Sequence, residues 1–256
     1  MRTHASKVYL VGAGPGAADL ITLRAARVLA DADVVLVDDL VNRDVLLHCR
    51  RGVRIIAVGK RAGCRSTPQD FIQRLTLRYA RQGYRVVRLK GGDPLVFARG
   101  GEELAFLASH GISVEVVSGL SAGLAVPATL GIPVTHRDCA HGVTFLTGHP
   151  RAGQTLDWDA LVRAGTTLVI YMGLGQIESI GAQLIAHGMP EATPAAAIEQ
   201  GTLSGQRQVI AALVDLPRVT REAGLRAPAL IVIGDVVAWA RAVQTDSAAE
   251  CAAANA

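Results

Sequence analysis

The sequence predicts an α/β fold in two α/β domains, and three observations carry that prediction. Short runs of Val, Ile and Leu alternate with segments of helical period along the 256 residues. Half of the residues are hydrophobic and only 4% are aromatic, so the core is built from aliphatic side chains, as suits strands buried between helices. Glycine-rich turns recur at the predicted strand ends, where an open α/β sheet places its ligand. The chain is organised around Arg85-Val-Val-Arg-Leu-Lys-Gly-Gly-Asp-Pro-Leu-Val-Phe-Ala-Arg-Gly-Gly-Glu-Glu103. It runs from a β-branched strand through two glycine pairs into a helix expected from Glu102.

Taken in order, Val8–Val11 is a strand and Gly12-Ala-Gly-Pro-Gly16 a turn that no helix or strand interior would tolerate. Asp19 is expected to cap a helix whose Leu20, Leu23, Ala26 and Leu29 share one face. Residues 33–38 form a second buried strand ending in two acids, and Val53–Val58 a third. Thr67-Pro68-Gln-Asp70 opens a helix with an N-cap, a proline at its first position and an acid in its first turn. Its buried stripe is expected at Phe71, Leu75 and Tyr79. Strand Tyr84–Leu89 delivers the Gly91-Gly92 turn; a helix to His110 and strand Ile112–Val117 follow. Ser118–Ala122 is a further small-residue turn.

The pattern restarts near Val143, which places the domains at 1–142 and 143–241. Strands are expected at Val143–Thr147, Thr166–Met172, Ala195–Ile198, Val209–Leu213 and Ala229–Ile233, with helices at Trp158–Arg163 and Gln176–His187. Their less regular alternation predicts a mixed sheet. The alanine-rich residues 242–256 read as a disordered tail.

The net charge of +4 is spread over scattered Lys and Arg residues, which excludes the basic stripe of a nucleic-acid binder and suits a small polyanionic substrate. Cys49, Cys64, Cys139 and Cys251 form no CxxC pair, so neither a disulfide framework nor a metal site is expected. The N-terminus is too short and polar for a signal peptide, and no apolar run approaches the roughly 20 residues of a membrane span. A soluble, cytoplasmic protein without a membrane partner is expected.

Gly12-Ala-Gly14-Pro-Gly16-Ala17 approximates the dinucleotide fingerprint, with Asp38 near the place of a ribose-binding acid. On its own this points to a nucleotide-dependent oxidoreductase. Pro15 removes an amide donor and Gly16 falls one place early, so a tight β–α turn without a ligand is the competing reading. A cofactor-sensing or assembly protein on the same scaffold is a third.

Several motifs occur in a fixed order: Val8–Gly16, Val34-Val-Leu-Val-Asp-Asp-Leu-Val41, Lys90–Pro94 with Arg99–Glu103, and Gly131-Ile-Pro-Val-Thr-His-Arg137. Tyr171-Met-Gly173, Glu199-Gln-Gly-Thr202 and Ala227–Gly234 continue the series. Over roughly residues 7–240 the chain resembles the uroporphyrinogen-III C-methyltransferase group of the tetrapyrrole methylase superfamily.

The resemblance implies two α/β domains, usually in a homodimer, with S-adenosylmethionine in a cleft between them. It implies cofactor contacts from Pro15, Gly91, Gly92, Asp93, Val96, Ser121, Ala122, Met172, Gly201 and Ala229. Asp38 matches the group's proton acceptor and Lys60 its proton donor, although Lys60 could equally bind a substrate carboxylate and Asp38 could simply cap a strand end. The implied reaction methylates uroporphyrinogen III at C2 and C7, giving precorrin-2 and S-adenosylhomocysteine, for sirohaem or cobalamin; a later precorrin methyltransferase is the nearest alternative.

The proposed substrate carries eight carboxylates, which calls for cationic partners. Arg61, Arg99, His136 and Arg137, with Lys90, are the candidates. Leu40, Phe97 and Met172 would either pack on macrocycle or cofactor or belong to the core. The chain departs from the group's usual pattern at Val37 for tyrosine, Asp39 for a base, Leu95 for phenylalanine, Ser118 for proline and Ser121 for threonine. Without the dehydrogenase–chelatase module of the fused sirohaem synthases, it is expected to methylate only.

Overall fold

The computed structural model describes residues 7–59, 67–151 and 153–240. The chain forms two compact units that divide at Ala122/Gly123. The second sheet begins at Val143, where the composition restarts, but the helix Ala122–Ala128 and the loop after it group with the second unit.

The first unit is a five-stranded parallel sheet in the order β3-β2-β4-β1-β5. Its strands are β1 (Lys7–Gly12), β2 (Val34–Val37), β3 (Arg54–Ala57), β4 (Val86–Lys90) and β5 (Ser113–Val117). Helices α1 (Leu23–Ala30), α2 (Gln69–Arg81) and α3 (Gly100–Ser109) connect them. Because strand side chains alternate between faces, Val35, Val37, Val87 and Leu89 join Ala25 and Leu29 of α1 in one core layer. Val34, Leu36 and Val86 pack with Ile72, Leu77 and Ala80 of α2 and Leu107 of α3 in the other. Arg88 and Lys90 share the parity of Val86, so the pleat directs them to the α2–α3 side.

Four local expectations for this unit are corrected. The first long helix is capped by Thr22, whose Oγ1 accepts from the Ala25 amide, while Asp19 lies in a separate 3-10 turn, Ala18–Leu20. Leu23, placed on its buried face by period alone, is 77% exposed. On α2 the buried residues are Ile72, Thr76, Leu77 and Ala80, and Phe71 is half exposed. Thr67 does not cap α2, which has no side-chain cap bond; its hydroxyl donates to the Gly59 carbonyl at 3.4 Å. The stripe is displaced because a helix of mixed polarity is oriented by the sheet it covers.

The second unit contains α4 (Ala122–Ala128, Ala122 closing the first unit), β6 (Val143–Thr147), α5 (Trp158–Arg163), β7 (Thr167–Tyr171), α6 (Ile177–Ala186), β8 (Pro194–Glu199), β9 (Arg207–Ala212), α7 (Leu216–Glu222) and β10 (Ala229–Ile233). The sheet order is β6-β7-β10-β8-β9. Only β6 and β7 pair in parallel, so the sheet is mixed as expected. Helices α4 and α7 were not foreseen. Their seven-residue lengths carry too little periodicity to distinguish them from loops, and α4 contains Pro127. No described helix is long and apolar enough to cross a membrane.

Candidate active site

Strands β1, β4 and β5 are neighbours in a parallel sheet, so their C-terminal turns emerge side by side. Glycine lets them touch. The Gly14 and Gly92 backbones exchange hydrogen bonds of 2.7 and 3.3 Å, and the Ala13 amide donates to the Lys90 carbonyl at 2.8 Å. A Cβ on Gly12 would lie 2.5 Å from the Gly119 nitrogen, and one on Gly119 would lie 2.2 Å from the Gly92 oxygen. Asp93 ties the turns together: Oδ1 accepts from the Leu95 amide at 2.8 Å, and Oδ2 from the Gly119 amide at 3.1 Å.

These bonds bear on the dinucleotide reading. Gly14 and Ala13 spend their amides on the neighbouring turn, and Pro15 has none, so they cannot converge on a pyrophosphate. Asp38 is likewise committed elsewhere, as described below. The nucleotide-dependent oxidoreductase reading is thereby corrected.

Gly92 itself has φ +66 and nothing within 4 Å of its Cβ direction, so a ligand can approach its backbone directly. Beyond it, Phe97 (φ 50) and Arg99 (φ 58) adopt left-handed backbone geometry, which costs about 1–2 kcal/mol per residue. Such geometry persists where surrounding structure enforces it, as at ligand clamps. Leu40, Leu95 and Phe97 are 68%, 54% and 40% exposed. Leu40 and Phe97 are therefore not core. Val96 and Pro15 are partly buried, whereas the small Ser121 is buried just before α4.

Asp38, at the end of β2, lies against a group of buried charges. Its Oδ1 accepts from Arg88 Nη2 at 2.5 Å, and its Oδ2 is 3.6 Å from Lys90 Nζ. Both cations are about 2% exposed. Behind them Glu103 Oε1 receives Lys90 Nζ at 3.1 Å, Arg88 Nε at 3.4 Å and Gln69 Nε2 at 2.7 Å. Lys90, expected among the substrate-binding cations, is corrected to this internal role. Sequence reasoning also passed over Arg88 and Glu103. The signal was there: an arginine flanked by apolar residues within a strand is buried only when paired.

Arg99 is exposed and forms a fork with Glu102, 3.0 Å from Nε to Oε1 and 2.6 Å from Nη2 to Oε2. The Glu102 carboxylate raises the Arg99 guanidinium above its ordinary pKa. Exposed pairs of this kind contribute about 0–1 kcal/mol, so another anion can displace Glu102. Lys60 and Arg61 lie outside the described residues.

In the second unit, three expected cofactor residues meet at one end of the sheet. Met172 follows β7, Gly201 follows β8, and Ala229 begins β10, which runs antiparallel to both. Met172 has φ 55 and is 49% exposed, so it too is not core. Gly201 sits between the left-handed Gln200 and Thr202, and its Cβ would strike Val126 of α4 at 2.4 Å. The Tyr171 hydroxyl accepts from the Gly123 amide at 2.6 Å, bracing α4 against the same strand. His136 lies elsewhere in this unit, its ring 4.6 Å from that of Trp239 and tilted to it by 39°, with the exposed Arg137 beside it.

The family model for tetrapyrrole (corrin/porphyrin) methylases matches residues 7–217. A uroporphyrinogen-III C-methyltransferase of Pseudomonas aeruginosa is 56% identical over 90% of this chain and 94% of its own. A siroheme synthase of Methylobacillus flagellatus is 49% identical over 91% of this chain, which spans about half of that protein's length. Among solved structures, a uroporphyrin-III C-methyltransferase of Thermus thermophilus complexed with S-adenyl homocysteine matches with a TM-score of 0.78 and 42% identity, over 90% of this chain and 93% of its own. A cobalt precorrin-4 methyltransferase matches with a TM-score of 0.82 and 26% identity, over 91% and 96%. The similarity runs through both units, and the chain belongs to the tetrapyrrole (corrin/porphyrin) methylase family.

Proposed function

We propose that the protein is an S-adenosylmethionine-dependent methyltransferase that methylates uroporphyrinogen III at C2 and C7 to give precorrin-2. The observation that carries this reading is the 56% identity to the Pseudomonas aeruginosa enzyme across nearly the full length of both chains. The residues present suit the cofactor: the open space beside Gly92 and the small Ser121 and Ala122 leave room for a bulky ligand against backbone.

When bound, S-adenosylmethionine supplies a methyl group on a positively charged sulfur. The chain's own task is to hold ligands in line and keep water out. Pro15, Gly91, Gly92, Asp93, Val96, Ser121, Ala122, Met172, Gly201 and Ala229 would hold the cofactor. Leu40 and Phe97 offer exposed apolar surface to a macrocycle. Arg99, His136 and Arg137, with Arg61, would meet its carboxylates, Arg99 by exchanging Glu102 for a substrate oxygen. Asp38 would take the proton that the methylated product loses, and Lys60 would serve as the proton donor. We further propose a cytoplasmic homodimer.

Met172→Ala tests the cofactor contact expected after β7. Because the side chain is half exposed, the thermal midpoint is expected to move little, as for surface substitutions worth about 0.5 kcal/mol or less. Losing its contact with the cofactor should weaken S-adenosylhomocysteine binding by about tenfold, or roughly 1.4 kcal/mol. Unchanged affinity by calorimetry would remove Met172 from the site.

The reaction itself is tested by mass-resolved assay with S-adenosylmethionine and enzymatically generated uroporphyrinogen III under anaerobic conditions. A product carrying two additional methyl groups is expected. A second reading, a later precorrin methyltransferase, is favoured by the TM-score of 0.82 to the cobalt precorrin-4 enzyme. Tight S-adenosylhomocysteine binding without any product from uroporphyrinogen III would select it.

A further inference from the structure

Glu103 is a buried acid with no direct part in the proposed reaction. It sits in the first turn of α3, about 2% exposed, and reaches inward to the α2–α3 face of the sheet. One of its oxygens, Oε1, gathers all the donors from Gln69 on α2 and from Arg88 and Lys90 on β4. The other, Oε2, is buried without a hydrogen-bond partner among the described residues. Burying a carboxylate in this way is costly unless the surrounding charges require it.

What requires it is the balance with Asp38. Arg88 and Lys90 each touch both acids, so the two cations stand between an outer carboxylate and an inner one. Asp38 is the partly exposed member, with a side chain 28% accessible. Its neighbour Asp39 is exposed and packs against Gly59, and does not enter the group. Without Glu103 the two cations would face Asp38 alone. Arg88 would also lose the anchor on its Nε, which together with the bonds from Nη1 to the Leu36 and Leu89 carbonyls fixes the direction in which Nη2 presents itself to Asp38.

We infer that Glu103 is a positioning residue for the Asp38 carboxylate, acting through Arg88 and Lys90. It holds the guanidinium and ammonium groups in place and offsets their charge, so that Asp38 keeps both its orientation and its capacity to accept a proton. The inference rests on the proposed role of Asp38 in the methyltransferase reaction.

The test is a double-mutant cycle on the full-length protein between Glu103→Gln and Asp38→Asn. Turnover is measured by mass-resolved assay, with S-adenosylhomocysteine affinity and thermal midpoint measured alongside. Glu103→Gln is expected to lower kcat about tenfold or more, a part of the roughly 10²–10⁴-fold that a positioned base supplies, while S-adenosylhomocysteine affinity is retained. In the Asp38→Asn background the same change should produce no further loss of kcat. A merely structural contribution would lower kcat by the same factor in both backgrounds, and that result would overturn the inference.

If Glu103→Gln does not fold, Glu103→Asp takes its place in the cycle, since it keeps the charge and withdraws it by one methylene. A reduced kcat that vanishes in the Asp38→Asn background supports the inference, and an unchanged kcat overturns it. Failure of the underlying reading looks different: Asp38→Asn alone would then turn over at the wild-type rate.

Discussion

Asp38→Asn is expected to lower kcat by about 10²–10⁴-fold, the usual contribution of a positioned general base, with S-adenosylhomocysteine affinity unchanged. The asparagine preserves shape and can still accept the Arg88 hydrogen bond, which measures 2.5 Å in the native protein. What it lacks is a carboxylate able to take a proton. It also leaves Arg88 and Lys90 balanced by Glu103 alone, so a lower thermal midpoint is expected as well. Kinetics and binding measured on the same preparation separate these effects. A variant with native kcat would remove Asp38 from catalysis, whereas a variant that has lost S-adenosylhomocysteine affinity would show that the carboxylate shapes the cofactor site instead.

Gly119→Ala should lower stability by forcing a methyl group between the turns that meet at the site. The added Cβ would lie 2.2 Å from the Gly92 oxygen and 2.7 Å from the Gly12 Cα, both of them backbone atoms. Neither can rotate away, so the β5 turn must separate from the other two. Overpacking of this kind costs about 1–3 kcal/mol, and about 2–4 °C in thermal midpoint follows from each kcal/mol for a chain of this size. Breaking the Asp93–Gly119 bond with the same displacement should weaken cofactor binding as well.

Gly92→Ala provides the contrast. Its Cβ meets nothing within 4 Å, so the stability cost is confined to left-handed geometry, about 1–2 kcal/mol. Here the loss of S-adenosylhomocysteine affinity should exceed the loss of stability. Equal thermal midpoints for Gly119→Ala and the wild type would refute the close packing of the three turns. Native affinity in Gly92→Ala would place the cofactor elsewhere.

The sequence by itself determined the fold class, the mixed second sheet and the position of most strands. Val143–Thr147, Trp158–Arg163 and Ala229–Ile233 were legible to the residue, because two-residue and 3.6-residue periods between glycine and proline breaks are local signals. The ordered motifs also pointed to the methylase family, since their spacing survives without any knowledge of contacts. It was equally legible that the turns after β1, β4 and β5 would be made of small residues.

Tertiary structure alone decided which of those residues meet, and what each then does. Asp93 reads as a ligand-binding acid in the sequence, and only the fold shows that it also laces two turns together through backbone amides. Lys90 reads as a substrate cation, yet strand parity turns it inward to Glu103. The stripe on α2 fell at Ile72 rather than Phe71 because the sheet, not the helix, selects the buried face. Asp38 acquires its partners only when β2 and β4 lie side by side and α3 covers them, bringing together groups 15 and 50 residues from Arg88. Periodicity records how a segment pairs with itself, whereas a buried charge is satisfied by whatever distant segment the fold places against it.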